Sequence, residues 1–174
     1  MKIFITDLKK IGKKNAFMKE YALCLTPKDK LRFDKITHID RKLQFLVGRL
    51  MVYRFLGASF KVEKSGKLTH KTKYLSLSHS HNLVILALSQ NPVGIDAEYT
   101  IKKRNFKNIC HFLNWKNCTN LKEFYKLFTQ YEADYKLGSQ HKKRLHTFLL
   151  WKKFIICVAS YTKESMEVFE YFPV

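Results

Sequence analysis

The strongest pattern along the chain is helical. From Thr37 to Leu56, "THIDRKLQFLVGRLMVYRFL", apolar side chains at Leu43, Leu46, Val47, Leu50, Met51 and Phe55 recur every three or four residues, and Gly57 follows as a stop. The same period predicts a second long helix in "NLKEFYKLFTQYEADYKLG", capped by Gly138, and helical material from about Lys14 to Cys24, with Pro27 and Asp29 marking a turn and restart. Elsewhere the period falls to two, or the run is continuously apolar. "KIFIT", Tyr74 to Leu77, Leu83 to Leu88 and Val93 to Ala97 read as strands, the last three forming a hairpin or meander with turns at Ser80 to Asn82 and Gln90 to Pro92. "FIICVASY" and "MEVFEYF" predict closing strands. The order strand, helices, strands, helix, strands suggests an α+β fold of two similar halves, residues 1–92 and 93–174, each with a long helix followed by strands.

Composition narrows this only a little. A chain of 174 residues with 46% hydrophobic content can bury a sizeable core. It has no apolar run long enough to span a bilayer, and "MKIFITDLKK" lacks the order of a secretory signal, so the expected location is the cytoplasm. Cys24, Cys110, Cys118 and Cys157 show neither a CxxC pair nor the density of a disulfide scaffold, and are expected as buried reduced thiols.

Charge changes the picture more. Lys and Arg number 33 against 14 Asp and Glu, a formal net charge of +19. Such a surface attracts polyanions: nucleic acid, an anionic membrane, a phosphorylated small molecule or an acidic protein. Of those totals, 19 basic and 6 acidic residues lie in 1–92, so the first half is the more positive. An acid in this chain is an electrostatic exception.

Two exceptions stand together in "VGIDAEY". On a strand Asp96 and Glu98 share one face while Ile95 and Ala97 take the other. Their repulsion is relieved by neighbouring lysines or by a cation between them, and hard carboxylate oxygens suit Mg²⁺. In the second long helix Phe128, Glu132 and Lys136 are spaced i, i+4, i+8. Glu132 and Lys136 either pair along the helix, or Glu132 reaches the strand acids and leaves Lys136 for a phosphate. "SLSHSHN" sets His79 between Ser78 and Ser80, all hydrogen-bond donors to an anion. "SGKL" offers Lys67 beside a glycine, and the first long helix carries Arg41, Lys42, Arg49 and Arg54 on more than one face.

In this order and spacing the motifs resemble those of the 4′-phosphopantetheinyl transferases, in the single-chain, two-half branch typified by the enzyme that activates surfactin synthetase. "SGKL" matches the family's Gly-Lys-Pro element, "LSLSHSH" its Asn-x-Ser-His-Ser strand, "VGIDAEY" its Gly-Ile/Val-Asp-x-Glu strand, and "FTQYEADYKL" its Trp-x-x-Lys-Glu-Ala/Ser-x-x-Lys helix. With the preceding helix these cover about residues 37–138. Four positions depart from the pattern: Phe128 replaces Trp, Tyr131 the lysine before the helical glutamate, Leu68 the proline, and Ser76 the asparagine.

The resemblance implies a pseudodimer of two α/β halves, each a long helix on a small antiparallel sheet, with coenzyme A in the cleft between them and Mg²⁺, or Mn²⁺, on its pyrophosphate. It implies transfer of 4′-phosphopantetheine to a serine of an acidic apo acyl carrier protein. Asp96, Glu98 and Glu132 would be the metal-site acids, with Glu132 also the base for the serine hydroxyl. His79, Ser78 and Lys136 would contact coenzyme A phosphates, while Lys67 with Arg41 or Arg49 would hold the 3′-phosphate end. A monomer would suffice, and a short chain suits a fatty-acid-synthesis carrier at least as well as a secondary-metabolite one. The rival expectation is a basic nucleic-acid-binding module without catalytic activity, since 14% aromatic content interleaved with lysine suits base stacking and phosphate contact.

Overall fold

The computed structural model describes residues 1–57, 59–63, 68–138 and 143–173. The fold is α+β. Strand β1 (Lys2–Asp7) leads into three helices, α1 (Lys14–Tyr21), α2 (Pro27–Asp34) and α3 (Ile39–Leu56). Two short strands, β2 (Lys61–Val62) and β3 (Leu68–Thr69), precede the hairpin β4 (Tyr74–Ser80) and β5 (Leu83–Ser89). Then come β6 (Val93–Tyr99), α4 (Phe106–Phe112), α5 (Leu121–Leu137), β7 (Arg144–Leu150), β8 (Phe154–Ser160) and β9 (Glu167–Glu170).

Local chemistry sets the helix ends. Thr26 caps α2 by accepting from the Asp29 amide, with Pro27 in the first turn. Asn120 caps α5 by accepting from the Glu123 amide, and Glu123 in return accepts from Thr119. Gly138 ends α5 in the left-handed conformation at φ 79°.

The strands form two main sheets, one ordered β4-β5-β1-β9 and one ordered β6-β8-β7, with β2 and β3 paired apart. β1 and β4 both run antiparallel to β5, as β6 and β7 both run antiparallel to β8. Strand orders β4-β5-β1 and β7-β8-β6 therefore repeat one pattern: a strand, helices, then a hairpin whose second strand pairs with the first. β9 breaks the parallel by returning to lie parallel to β1. Of the two expected arrangements, hairpin or meander, the chain takes the hairpin, because β6 leaves β5 for the other sheet.

Burial stacks these parts in four layers. Ile3, Ile5, Leu83, Ile85 and Ala87 of the first sheet share a core with Val93, Ile95, Ala97, Ile156 and Val158 of the second. On the first sheet's other face, Val84, Leu86 and Leu75 pack under Leu43, Leu46, Val47 and Met51 of α3. On the second sheet's other face, Ile155, Cys157 and Ala159 pack under Phe124, Ala133 and Leu137 of α5. Among the described residues no helix is long and apolar enough to cross a membrane.

The cysteines correct the expectation of four reduced buried thiols. The chain turns back after α4, where the Trp115 amide donates to the Cys110 carbonyl and the Cys118 amide to the Trp115 carbonyl, bringing Cys110 and Cys118 into a disulfide. Cys24 is exposed and only Cys157 is a buried free thiol, with burial pushing its pKa up to about 11.

Candidate functional site

The face of β6 that carries Asp96 and Glu98 lies under α5. Gly94 makes this possible: a Cβ there would stand 1.9 Å from the Ala133 carbonyl oxygen and 2.6 Å from the Leu137 amide nitrogen. A helix resting so close on a strand brings Lys136, one residue from Leu137, over the strand. Its Nζ donates to Asp96 Oδ1 at 2.6 Å and to the Ile95 carbonyl at 3.2 Å. The Glu132 to Lys136 pairing along the helix is thus replaced by a bond from helix to strand.

Asp96 is 5% exposed. Ser78 Oγ also donates to its Oδ1, at 2.8 Å, whereas Oδ2 is buried with no hydrogen-bond partner among the described residues. Buried carboxylate oxygens are ordinarily satisfied, so an orphan marks a place for a donor or a cation. Glu98 accepts from Ser80 Oγ at 3.1 Å and from Arg104 Nη2 at 3.4 Å. Burial pushes the Glu98 carboxyl above the usual carboxylate range, and the Asp96 charge pushes the same way against Arg104. Glu132 is raised too, first by burial and then by Asp96. The Asp96 charge thus disfavours the ionised form of both other acids, a like-charge effect that a divalent cation would relieve. Among the described residues no three such side chains stand preassembled as a metal-holding group.

Across the seam, His79 projects from β4 toward α3, where Arg41 Nη1 lies 3.0 Å from its Nδ1. A guanidinium can only donate, so Nδ1 accepts and the imidazole is neutral with its proton on Nε2. Burial, then the Arg41 charge, then Lys136 hold the His79 pKa below its ordinary value, which agrees with that form. Arg41 also donates to Gln44, whose Nε2 donates to the His81 carbonyl. The result is a neutral donor beside two cations, an arrangement suited to an anion.

Two expected phosphate ligands are elsewhere. Arg49 is buried at 4% exposure, its Nε 2.9 Å from Asp29 Oδ1 and its guanidinium over the Phe45 ring. It faces α2, where Tyr53 also donates to Asp29, so it ties two helices together and has no free face for a 3′-phosphate. Ser78 is 5% exposed and points at β6, where it donates to Asp96 and accepts from the Ala97 amide. Lys67 lies outside the described residues. Arg104 and Gln44 escaped the sequence reading, and Ser80 was read as an anion donor rather than as the partner of Glu98. Arg104 follows "IKK" as one more basic residue, and Gln44 sits among apolar helix positions. The alternation in "SLSHS" held the signal for that role of Ser80, because every second residue is a serine facing one side.

Tyr131, in place of the family's lysine, is exposed and meets the Trp115 ring edge to face at 5.9 Å. Phe128 stacks on Phe124 at 5.4 Å and lies under the Arg104 guanidinium, so it packs as an aromatic core residue. Comparison with known proteins finds no family model that matches this chain and no curated protein that matches it.

Proposed function

We propose that this protein transfers the 4′-phosphopantetheine group of coenzyme A to a serine of an apo acyl carrier protein, working as a pseudodimer of two similar halves. One observation carries the reading: residues chosen from four separated motifs converge on the seam between β4 and β6. Asp96 and Glu98 lie on β6, Glu132 and Lys136 on α5, His79 on β4, and Arg41 on α3 against His79. The repeated strand order of the two sheets supports the pseudodimer.

In the proposed reaction the carrier serine Oγ attacks the phosphorus that bears the pantetheine arm. The bond from that phosphorus to the oxygen bridging the pyrophosphate breaks, and adenosine 3′,5′-bisphosphate leaves. Glu132 takes the serine proton, a role strengthened by the upward displacement of its carboxyl. His79 Nε2–H and Arg41 donate to phosphate oxygens, and Lys136 exchanges Asp96 for one. Mg²⁺ held by Asp96, Glu98 and Glu132 would neutralise charge on the pyrophosphate. The orphaned Asp96 Oδ2 and the raised Glu98 and Glu132 fit that ion. The net charge of +19 would draw an acidic carrier into encounter.

The test is intact-mass spectrometry of an apo acyl carrier protein incubated with this protein, coenzyme A and Mg²⁺. A phosphopantetheine-sized gain that disappears without the ion and in Asp96→Ala supports the proposal. No gain with several carriers, together with salt-dependent RNA or DNA binding, would replace it with the nucleic-acid module.

A further inference from the structure

The seam between the two sheets is closed by side chains. β6 pairs with β8 along one edge, and its other edge carries the amides of Ile95, Ala97 and Tyr99. Among the described residues no neighbouring strand backbone meets them. The hydroxyls of Ser76, Ser78 and Ser80 on β4 do, accepting from Ile95, Ala97 and Tyr99 at 2.9, 3.3 and 2.9 Å. The offset is 19 residues at all three rungs, so the two strands run parallel and in step. Alternation on β4 makes this possible: Leu75 and Leu77 face the α3 core while the serines face β6.

A serine hydroxyl has one proton and two lone pairs. Accepting an amide uses one lone pair and fixes the oxygen, leaving the proton to be given elsewhere. Ser78 gives it to Asp96 Oδ1 and Ser80 to Glu98 Oε2. At the third rung the strand residue preceding Ile95 is Gly94, which has no side chain to receive one. Each acid is therefore bonded through one oxygen by the rung beside it.

We propose that Ser76, Ser78 and Ser80 form a side-chain zipper that sets the register of β6 against β4, and that Ser78 and Ser80 are positioning residues aiming the Asp96 and Glu98 carboxylates. The zipper stands on geometry alone. Its value to catalysis rests on the transferase reading.

The test uses the full chain with Ser76→Ala, Ser78→Ala and Ser80→Ala, each beside its Ser→Thr counterpart, which keeps the hydroxyl. Amide hydrogen exchange should rise about tenfold at Ile95, Ala97 or Tyr99 respectively, one amide per variant, and return with threonine. The ¹³C carboxyl resonance of Asp96 should move in Ser78→Ala, and that of Glu98 in Ser80→Ala, each restored by threonine. In transfer assays Ser78→Ala and Ser80→Ala should lower kcat by about 10–100-fold with KM for coenzyme A little changed. Unchanged exchange at all three amides overturns the zipper. Released amides without movement of the paired carboxyl resonance, or with wild-type kcat in a protein that transfers, overturn the positioning role. A wild-type protein that transfers nothing defeats the transferase reading, and exchange and resonances still decide the zipper.

Discussion

Arg41 and Arg49 lie about two turns apart on α3 in opposite surroundings. Arg49 is committed to buried Asp29, and removing it strands a carboxylate. Arg49→Met should cost about 3–5 kcal/mol by chemical denaturation, with transfer per folded molecule unchanged. Arg41 is exposed against His79, so Arg41→Ala should leave the denaturation midpoint nearly in place and raise KM for coenzyme A. Glu132 and Glu98 behave oppositely to a stabilising salt bridge. Their folded-state pKa values lie above 4.5, so their contribution to stability is fully present below about that pH and is lost as pH rises through the folded values. Glu132→Gln should therefore raise Tm at neutral pH in divalent-free buffer while abolishing transfer, a combination read by a thermal melt and a mass spectrum of the same sample. The chemistry of these acids was legible from their alternation and spacing. The partners were not, because which of several arginines and serines faces inward depends on how α3 and β4 are rotated in the fold.

Gly94 decides whether α5 can lie on β6 at all. A Cβ there would meet backbone atoms of Ala133 and Leu137, which cannot move aside like a flexible side chain. Gly94→Ala should cost about 3 kcal/mol or more, at or beyond the upper end of the overpacking range, and should weaken transfer by lifting Lys136 from Asp96. A denaturation curve and the mass assay on the surviving folded protein check both. Gly48→Ala, whose Cβ would meet only the movable Leu77 side chain, is the mild comparison. The long helices and the strands of the hairpin were legible because their apolar period persists over several turns or alternations. α4, with seven residues, is too short for a period to register, and β7 hides because exposed Leu145 and Leu149 blur its alternation. That β6 joins β8 rather than β5 follows from long-range burial of Ile95 and Ala97 between the sheets.

The positive field belongs to no single part of the chain. With a net charge of +19, raising salt from about 0.05 to 0.5 M should lower kcat/KM for an acidic carrier severalfold while leaving kcat nearly constant, as stopped-flow or quenched assays would show. The sheet pairings also make the ends of the chain interdependent. β9 hydrogen-bonds beside β1, the Tyr171 amide donates to the Ile5 carbonyl, and Thr6 Oγ1 donates to the Tyr171 carbonyl. During synthesis β1 emerges from the ribosome about 165 residues ahead of the strand that covers its edge, a wait of about 8–33 s at about 5–20 residues per second. Until β9 arrives the nascent sheet presents a bare β1 edge, open to pairing with any other extended segment, and that edge can be closed only once residues 167–170 have been made.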